Sequence, residues 1–209
     1  MKKQFRSALI GAVAILLMLP NSSLAKGLKF GLKIGLNAAD HYGENIREVE
    51  SLLDEKVKSK LAYCAGGYVT FEINTRVNMQ LEILYSKKGS KIVEERIVTY
   101  LDYLEIPVLI KFLLTSRGRI KPNLFAGPAF SVSLDGKTKE DSAVREWENL
   151  KGTDFGLIIG GGLGFAPEFL GRGEFNIDLR YNLGLITISN LENEDVKNRV
   201  ISISVGYSF

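Results

Sequence analysis

The chain has 209 residues, a formal net charge of +3, one histidine and one cysteine, Cys64. A single cysteine excludes an intramolecular disulfide. Three of the 27 basic residues, and none of the 24 acidic ones, lie in the first 25 positions. The remaining chain is therefore neutral, and its composition gives no argument for nucleic-acid binding.

The first 25 residues have the features of a secretory signal peptide. Lys2, Lys3 and Arg6 precede an apolar run at residues 8–19, and Ser23 and Ala25 supply the small residues that a signal peptidase reads. The run is shorter than the roughly 20 residues that a membrane-spanning helix needs. We therefore expect residues 1–25 to be cleaved after Sec-type export, which leaves residues 26–209 as one domain.

Eight later segments alternate between apolar and polar or small side chains, which is the pattern of a β-strand. The first segment has about the ten residues that a tilted membrane strand requires. The last segment places Ile, Val and aromatic residues at odd positions and Ser or Gly at even ones. The predicted strands are residues 28–37, 66–73, 77–86, 100–112, 120–134, 154–165, 174–185 and 199–209.

The predicted connections alternate between long polar loops and short turns. In the first long loop, Ile46, Val49 and Leu52 have helical spacing and predict a short amphipathic helix. Barrels of outer membranes have short periplasmic turns and long extracellular loops. The sequence therefore predicts an all-β fold, an eight-stranded antiparallel up-and-down transmembrane β-barrel. The rival fold, a soluble lipocalin-like barrel, would turn its apolar faces inward and leave Glu82 and Arg180 in water.

Two prolines lie inside predicted strands, Pro107 and Pro128. Proline has no backbone N–H to donate, so each position requires a bulge or a local gap in the hydrogen-bonded ladder.

Three strings stand out: YLEIPVLIKF at residues 103–112, PNLFAGP at 122–128 and the closing VGYSF at 205–209. They resemble sequences of the PorT-like outer-membrane β-barrel family of Bacteroidetes-type bacteria. The second string has Asn123 where the family usually has an aromatic residue. The resemblance covers nearly the whole chain after residue 25, and it implies that both prolines are family features. Because one family member is linked to protein secretion across the outer membrane, it also implies a candidate role in export.

The predicted inward faces carry many charges. They are Lys29, Lys33, Glu72, Glu82, Glu105, Lys111, Glu174, Asp178 and Arg180. The interior of an eight-stranded barrel is just wide enough for side chains, and an unpaired buried ion costs several kcal/mol. We therefore expect a structural charge cluster of Glu72, Glu82, Glu105, Lys111, Asp178 and Arg180, with Arg180 bridging Glu105 and Glu82. The alternative is a small channel or a ligand-binding barrel for a small solute.

Catalytic groups are scarce in this sequence. The only histidine, His41, follows Asp40 in the first predicted loop, where a lone histidine is usually solvated. The pair is nevertheless the one position at which a membrane enzyme could be built. The glycines at 160–164 fit strand alternation rather than a phosphate-binding loop, and no Cys/His spacing indicates a metal site. We expect no enzymatic activity and no cofactor.

The final strand is also a candidate recognition site. Val205, Tyr207 and Phe209 resemble the signal read by the barrel-assembly machinery, although they could simply face lipid. The expected partners are outer-membrane lipid, this machinery during insertion, and a protein partner at the loops of residues 40–60 and 137–151. We therefore expect a structural or interaction role at the cell surface or in outer-membrane protein export.

Overall fold

The computed structural model describes residues 27–53, 57–92, 97–115, 118–140, 143–147, 149–167, 173–191 and 194–209. The predicted signal peptide, residues 1–25, lies outside the described residues. Within the part that is described, no helix is both long and apolar enough to cross a membrane.

Strands account for most of the described chain, together with one short helix. The elements in chain order are β1 (Leu28–Tyr42), α1 (Glu44–Leu53), β2 (Lys58–Glu72), β3 (Val77–Lys88), β4 (Ser90–Ile92), β5 (Ile97–Leu113), β6 (Ile120–Glu140), β7 (Ala143–Glu146), β8 (Thr153–Phe165), β9 (Glu174–Gly184) and β10 (Lys197–Ser208). The helix predicted in the first long loop is confirmed as α1.

The eight long strands close into a barrel, and β4 and β7 are short additions to it. Each long strand pairs antiparallel with the next long strand along the chain. The ring is completed by β1 and β10, which pair from Gly31 opposite Ser208 to Tyr42 opposite Lys197. The predicted eight-stranded up-and-down barrel is confirmed.

The two ends of the barrel differ. One end, the turn end, carries the connections at residues 73–76, 114–119 and 166–173. The other end, the loop end, carries α1, β4, β7 and residues 185–196. At the loop end the strands run further than predicted, so that Ala39 of β1 still pairs with Lys60 of β2. Backbone pairing continues there because it does not require the apolar alternation from which the strand ends were predicted.

The barrel wall is apolar outside and polar inside. On the outer face Leu179 is 59% exposed, and Leu32, Ile34 and Leu36 of β1 are also exposed. Inside, Glu82, Glu105 and Arg180 are at most 5% exposed. An apolar surface this extensive is the signature of a wall that meets lipid rather than water. The lipocalin-like alternative is therefore wrong.

The ladder is interrupted at both Pro107 and Pro128, as the sequence predicted. The pairing of β3 with β5 skips the positions between the Leu84–Glu105 and Leu81–Val108 pairs, where Pro107 lies. The pairing of β5 with β6 breaks between the Pro107–Ala129 and Ile110–Ala126 pairs. A separate register shift lies between Asp102 and Tyr103. The missing N–H of proline accounts for both breaks, because Pro107 lies in the gap that faces β3 and Pro128 lies in the gap between β5 and β6.

Candidate functional site

The middle of the lumen holds five buried charged side chains in contact, here called the middle layer: Lys33, Glu82, Lys111, Asp178 and Arg180. Lys33 Nζ donates to Glu82 Oε1 at 2.7 Å and to Asp178 Oδ2 at 2.8 Å. Arg180 Nη1 donates to Glu82 Oε2 at 2.8 Å. Lys111 Nζ donates to Asp178 Oδ1 at 3.4 Å. Three cations face two carboxylates, so this layer has an excess of one positive charge.

A second buried group lies nearer the loop end and is here called the upper layer: Lys88, Glu105, Asp154, Asn182 and Asn198. Lys88 Nζ lies 2.7 Å from Glu105 Oε2 and 3.9 Å from Asp154 Oδ2. Asn198 Nδ2 donates to Asp154 Oδ2 at 2.8 Å, and Asn182 Nδ2 donates to Glu105 Oε1 at 3.2 Å. One cation faces two carboxylates here, so this layer has an excess of one negative charge. That excess balances the positive charge of the middle layer.

Glu72 does not belong to this buried cluster, contrary to the prediction. It lies at the turn end, where its carboxylate is 2.7 Å from Lys29 Nζ and both side chains are about 40% exposed. Lys121 and Glu174 form a similar pair, at 2.9 Å. The reason is position along the strand, because β2 ends at Glu72 where the barrel opens to solvent.

Arg180 bridges Glu82 and Asp178, not Glu82 and Glu105 as predicted. Glu105 is instead held by Lys88, which the sequence analysis missed because the predicted third strand ended at residue 86. Lys88 shares its inward parity with Glu82 and Ser86, so an extension of the alternation by two residues would have found it.

The glycines on the inward faces leave room for these long side chains. A Cβ on Gly162 would lie 2.3 Å from Asp178 Oδ1, and one on Gly31 would lie 2.3 Å from the Tyr68 ring. A larger residue at either position would push into a side chain that fills the lumen.

An apolar cluster, here called the cap, lies at the loop end. Its members are Leu101, Tyr103, Ile188 and Val196, which are buried, and Ile46, Trp147 and Leu150, which pack against them. Ile46 comes from α1, so the helix contributes one apolar side chain to this closure. Tyr103 links the cap to the upper layer, because its hydroxyl accepts a hydrogen bond from Asn198 Nδ2 at 3.3 Å.

His41 is buried beneath this cap and is not solvated, contrary to the prediction. Its Nδ1 lies 2.9 Å from Ser90 Oγ on β4, and its ring meets Trp147 edge-on with centroids 6.0 Å apart. The residue lies at the end of β1, beyond the exposed apolar residues that end at Leu36. Burial lowers the pKa of His41 to about 4, a shift that Asp40 opposes and Lys60 reinforces.

Asp40 and His41 do not form a joint site. Adjacent residues of a strand point to opposite faces, and Asp40 faces outward. Its oxygens accept hydrogen bonds from Arg199 Nε at 2.7 Å and Ser59 Oγ at 2.9 Å. Among the residues that the structure describes, no acid orients the imidazole of His41, and both Ser90 and His41 are buried. A nucleophilic site needs an orienting group and access for its substrate. In the described ranges, no three His, Cys, Asp or Glu side chains are placed to hold a metal ion.

The predicted assembly signal lies on the outer wall at the turn end. Tyr207 packs against Phe175 and Phe209, with ring centroids 5.0 and 6.2 Å apart. Val205 and Phe209 are exposed. Recognition of these residues by the assembly machinery stays a prediction.

A closed barrel with an apolar outer wall and an ion-paired lumen defines a membrane-spanning β-barrel protein. A family described as "Outer membrane protein beta-barrel domain" matches residues 19–190. The chain belongs to this family and is thus an outer-membrane protein of the Gram-negative type. No curated protein matches the chain.

Solved structures that are similar to this chain include the following three. Neisserial surface protein A is 14% identical with a TM-score of 0.52, and the match covers 88% of this chain and all of that one. OprG of Pseudomonas aeruginosa is 13% identical, with a TM-score of 0.49 and coverage of 88% and 96%. Ail, the attachment invasion locus protein of Yersinia pestis, is 16% identical, with a TM-score of 0.46 and coverage of 88% and 99%. The first likeness supports the barrel fold alone.

Proposed function

We propose that this protein is a non-enzymatic outer-membrane barrel with a sealed lumen, whose loop end contacts a protein partner at the cell surface or in outer-membrane protein export. The observation that carries the proposal is the paired charge inside the barrel. The described lumen buries four cations and four carboxylates: Lys33, Lys88, Lys111, Arg180, Glu82, Glu105, Asp154 and Asp178. Side chains arranged in this way hold the wall together rather than line an open path.

The same charges argue against the small channel. A solute could pass only if ion pairs such as Lys33–Glu82 separated, and breaking a buried pair costs about 3–5 kcal/mol. A cavity described inside the lumen has a volume of about 10 Å³. That volume holds about one water molecule. The cap adds a second obstacle at the loop end.

The loop end supplies the surface for a partner. Leu52 on α1 is 79% exposed, and Val144 on β7 is 59% exposed. Both lie in the loops for which the sequence predicts a partner, away from the apolar wall. Contact with another protein would remove these two apolar side chains from water, which is favourable.

The proposal includes the location and the route of the protein. Export by the Sec pathway is supported by the signal-peptide pattern of residues 1–25, and a PorT-like, Bacteroidetes-type origin by YLEIPVLIKF and the closing VGYSF. Val205, Tyr207 and Phe209 would pair with the barrel-assembly machinery during insertion. In this orientation the turn end faces the periplasm and the loop end faces the exterior.

Site-specific photo-crosslinking in intact cells tests the partner. A photoreactive residue is placed at position 52 or 144, and the control carries it at position 177, where Ile177 faces lipid. We expect one common protein to crosslink from positions 52 and 144 and not from 177. Identical products from all three positions, or none from the two loop positions, would contradict the proposal. Ion conductance by the purified protein in planar bilayers would contradict the sealed lumen.

A further inference from the structure

A small cavity lies in the lumen where the middle and upper layers meet. Its walls include Lys88 and Glu105 of the upper layer and Arg180 of the middle layer, with Cys64, Asn182 and Ser202 beside them. Its volume of about 10 Å³, the space open to the centre of a water-sized sphere, is about the smallest that holds one buried water molecule. The lining is mixed, since seven of its ten residues are polar or charged and the other three are Cys64, Leu84 and Val200. Cavities that stay empty are usually apolar throughout.

Two buried polar atoms on these cavity-lining residues have hydrogen-bonding capacity that the described protein groups leave unused. Arg180 donates through Nη1 and Nη2 to Glu82, but its Nε donates to no described group. Glu105 Oε2 is ion-paired with the Lys88 ammonium at 2.7 Å, and a carboxylate oxygen has a second lone pair that can accept another hydrogen bond. One atom is a donor and the other an acceptor, and buried groups of this kind normally have a partner.

The net charges of the two layers also favour a polar molecule in this cavity. The middle layer has one surplus positive charge, and the upper layer has one surplus negative charge. Arg180 and Glu105 are the members of the two layers that reach the cavity with unused hydrogen-bonding capacity. A polar molecule between them is oriented by both charges, with its oxygen toward the guanidinium and a hydrogen toward the carboxylate.

We propose that one water molecule occupies this cavity, accepts a hydrogen bond from Arg180 Nε and donates one to Glu105 Oε2. The water joins the two ion-paired layers into one hydrogen-bonded network. Buried waters usually make about three hydrogen bonds. Ser202 and Asn182, which line the same cavity, offer the remaining partner.

A high-resolution crystal structure of the wild-type protein tests this site directly. We expect one density peak of water height within about 3.2 Å of both Arg180 Nε and Glu105 Oε2. An empty cavity, an ion in place of water, or direct contact of Arg180 Nε with a protein oxygen would overturn the proposal.

A matched pair of variants adds a second readout. Ser202 and Ser204 both face the lumen from β10, but of the two only Ser202 lines the cavity. We expect S202V to lose the water peak because its added methyl group takes the space, and S204V to keep it. A water that remains in S202V at full occupancy, or one that disappears equally in both variants, would overturn the assignment.

Discussion

Neutralising Glu82 should destabilise the barrel more than removing Lys33, although the two side chains form one ion pair. The reason is the charge count of the middle layer, which has three cations and two carboxylates. E82Q leaves three buried cations facing Asp178 alone. K33M leaves two cations facing two carboxylates, because Arg180 still holds Glu82 and Lys111 still holds Asp178.

The contacts of Glu82 determine how much stability each substitution should cost. Glu82 accepts from Lys33 at 2.7 Å and from Arg180 at 2.8 and 3.1 Å, and it is fully buried. Removal of one partner of a buried ionic network costs about 3–5 kcal/mol, which we expect for E82Q. K33M should cost less, about 1–3 kcal/mol, since it removes charge-assisted hydrogen bonds without leaving an unpaired carboxylate. The exposed ion pair of Lys29 with Glu72 provides the control, and E72Q should cost about 0–1 kcal/mol.

Reversible urea unfolding in phospholipid vesicles measures these free energies. Far-ultraviolet circular dichroism reports the loss of strands, and the migration of unboiled samples on gels reports the closed barrel. Equal destabilisation by E82Q and K33M, or a larger effect of K33M, would refute the charge count. An effect of E72Q as large as that of E82Q would show that burial does not decide the cost.

Three further outcomes are expected. Deletion of Phe209 should reduce the amount of protein in the outer-membrane fraction more than it lowers the unfolding midpoint of the inserted protein; the reverse order would indicate a residue that only faces lipid. Because the pKa of His41 is about 4 when folded and about 6.5 when unfolded, the unfolded chain binds the extra proton between these values. Between pH 7 and pH 4, the free energy of unfolding of the wild-type protein should therefore fall by up to about 3 kcal/mol more than that of H41Q. Parallel pH profiles of the unfolding free energies of the two proteins would contradict this. I46D should open the cap and expose α1 to protease while the barrel keeps its gel shift, and unchanged digestion would argue against the packing of Ile46.

The fold could be predicted from the sequence because the barrel wall has one simple physical requirement. Each strand faces lipid on one side and a narrow lumen on the other, so Leu179 and Arg180 must alternate. The strand ends could not be predicted in this way. Lys88 and Asn198 lie where the outer wall is no longer apolar, so the alternation gave no reason to extend the strands to them.

The contacts within the lumen were harder to predict than its composition. Alternation shows that Arg180 faces inward, but its height relative to Glu82 and Glu105 depends on the stagger of strands on opposite sides of the ring. The contact of His41 with Ser90 and Trp147 depends on β4 and on the loop after β7, which carry no periodic pattern. Such contacts follow from tertiary packing alone.

The seam between β1 and β10 joins the first and the last strand of the domain. Both edges of the growing sheet stay open until residues 197–208 are in place, and lipid offers their backbone groups no substitute partner. Truncation of β10 would therefore leave the backbone edges of β1 and β9 unpaired rather than produce a smaller closed barrel. A cell that makes this protein has to keep the other seven long strands from aggregating until the twelve residues of β10 arrive.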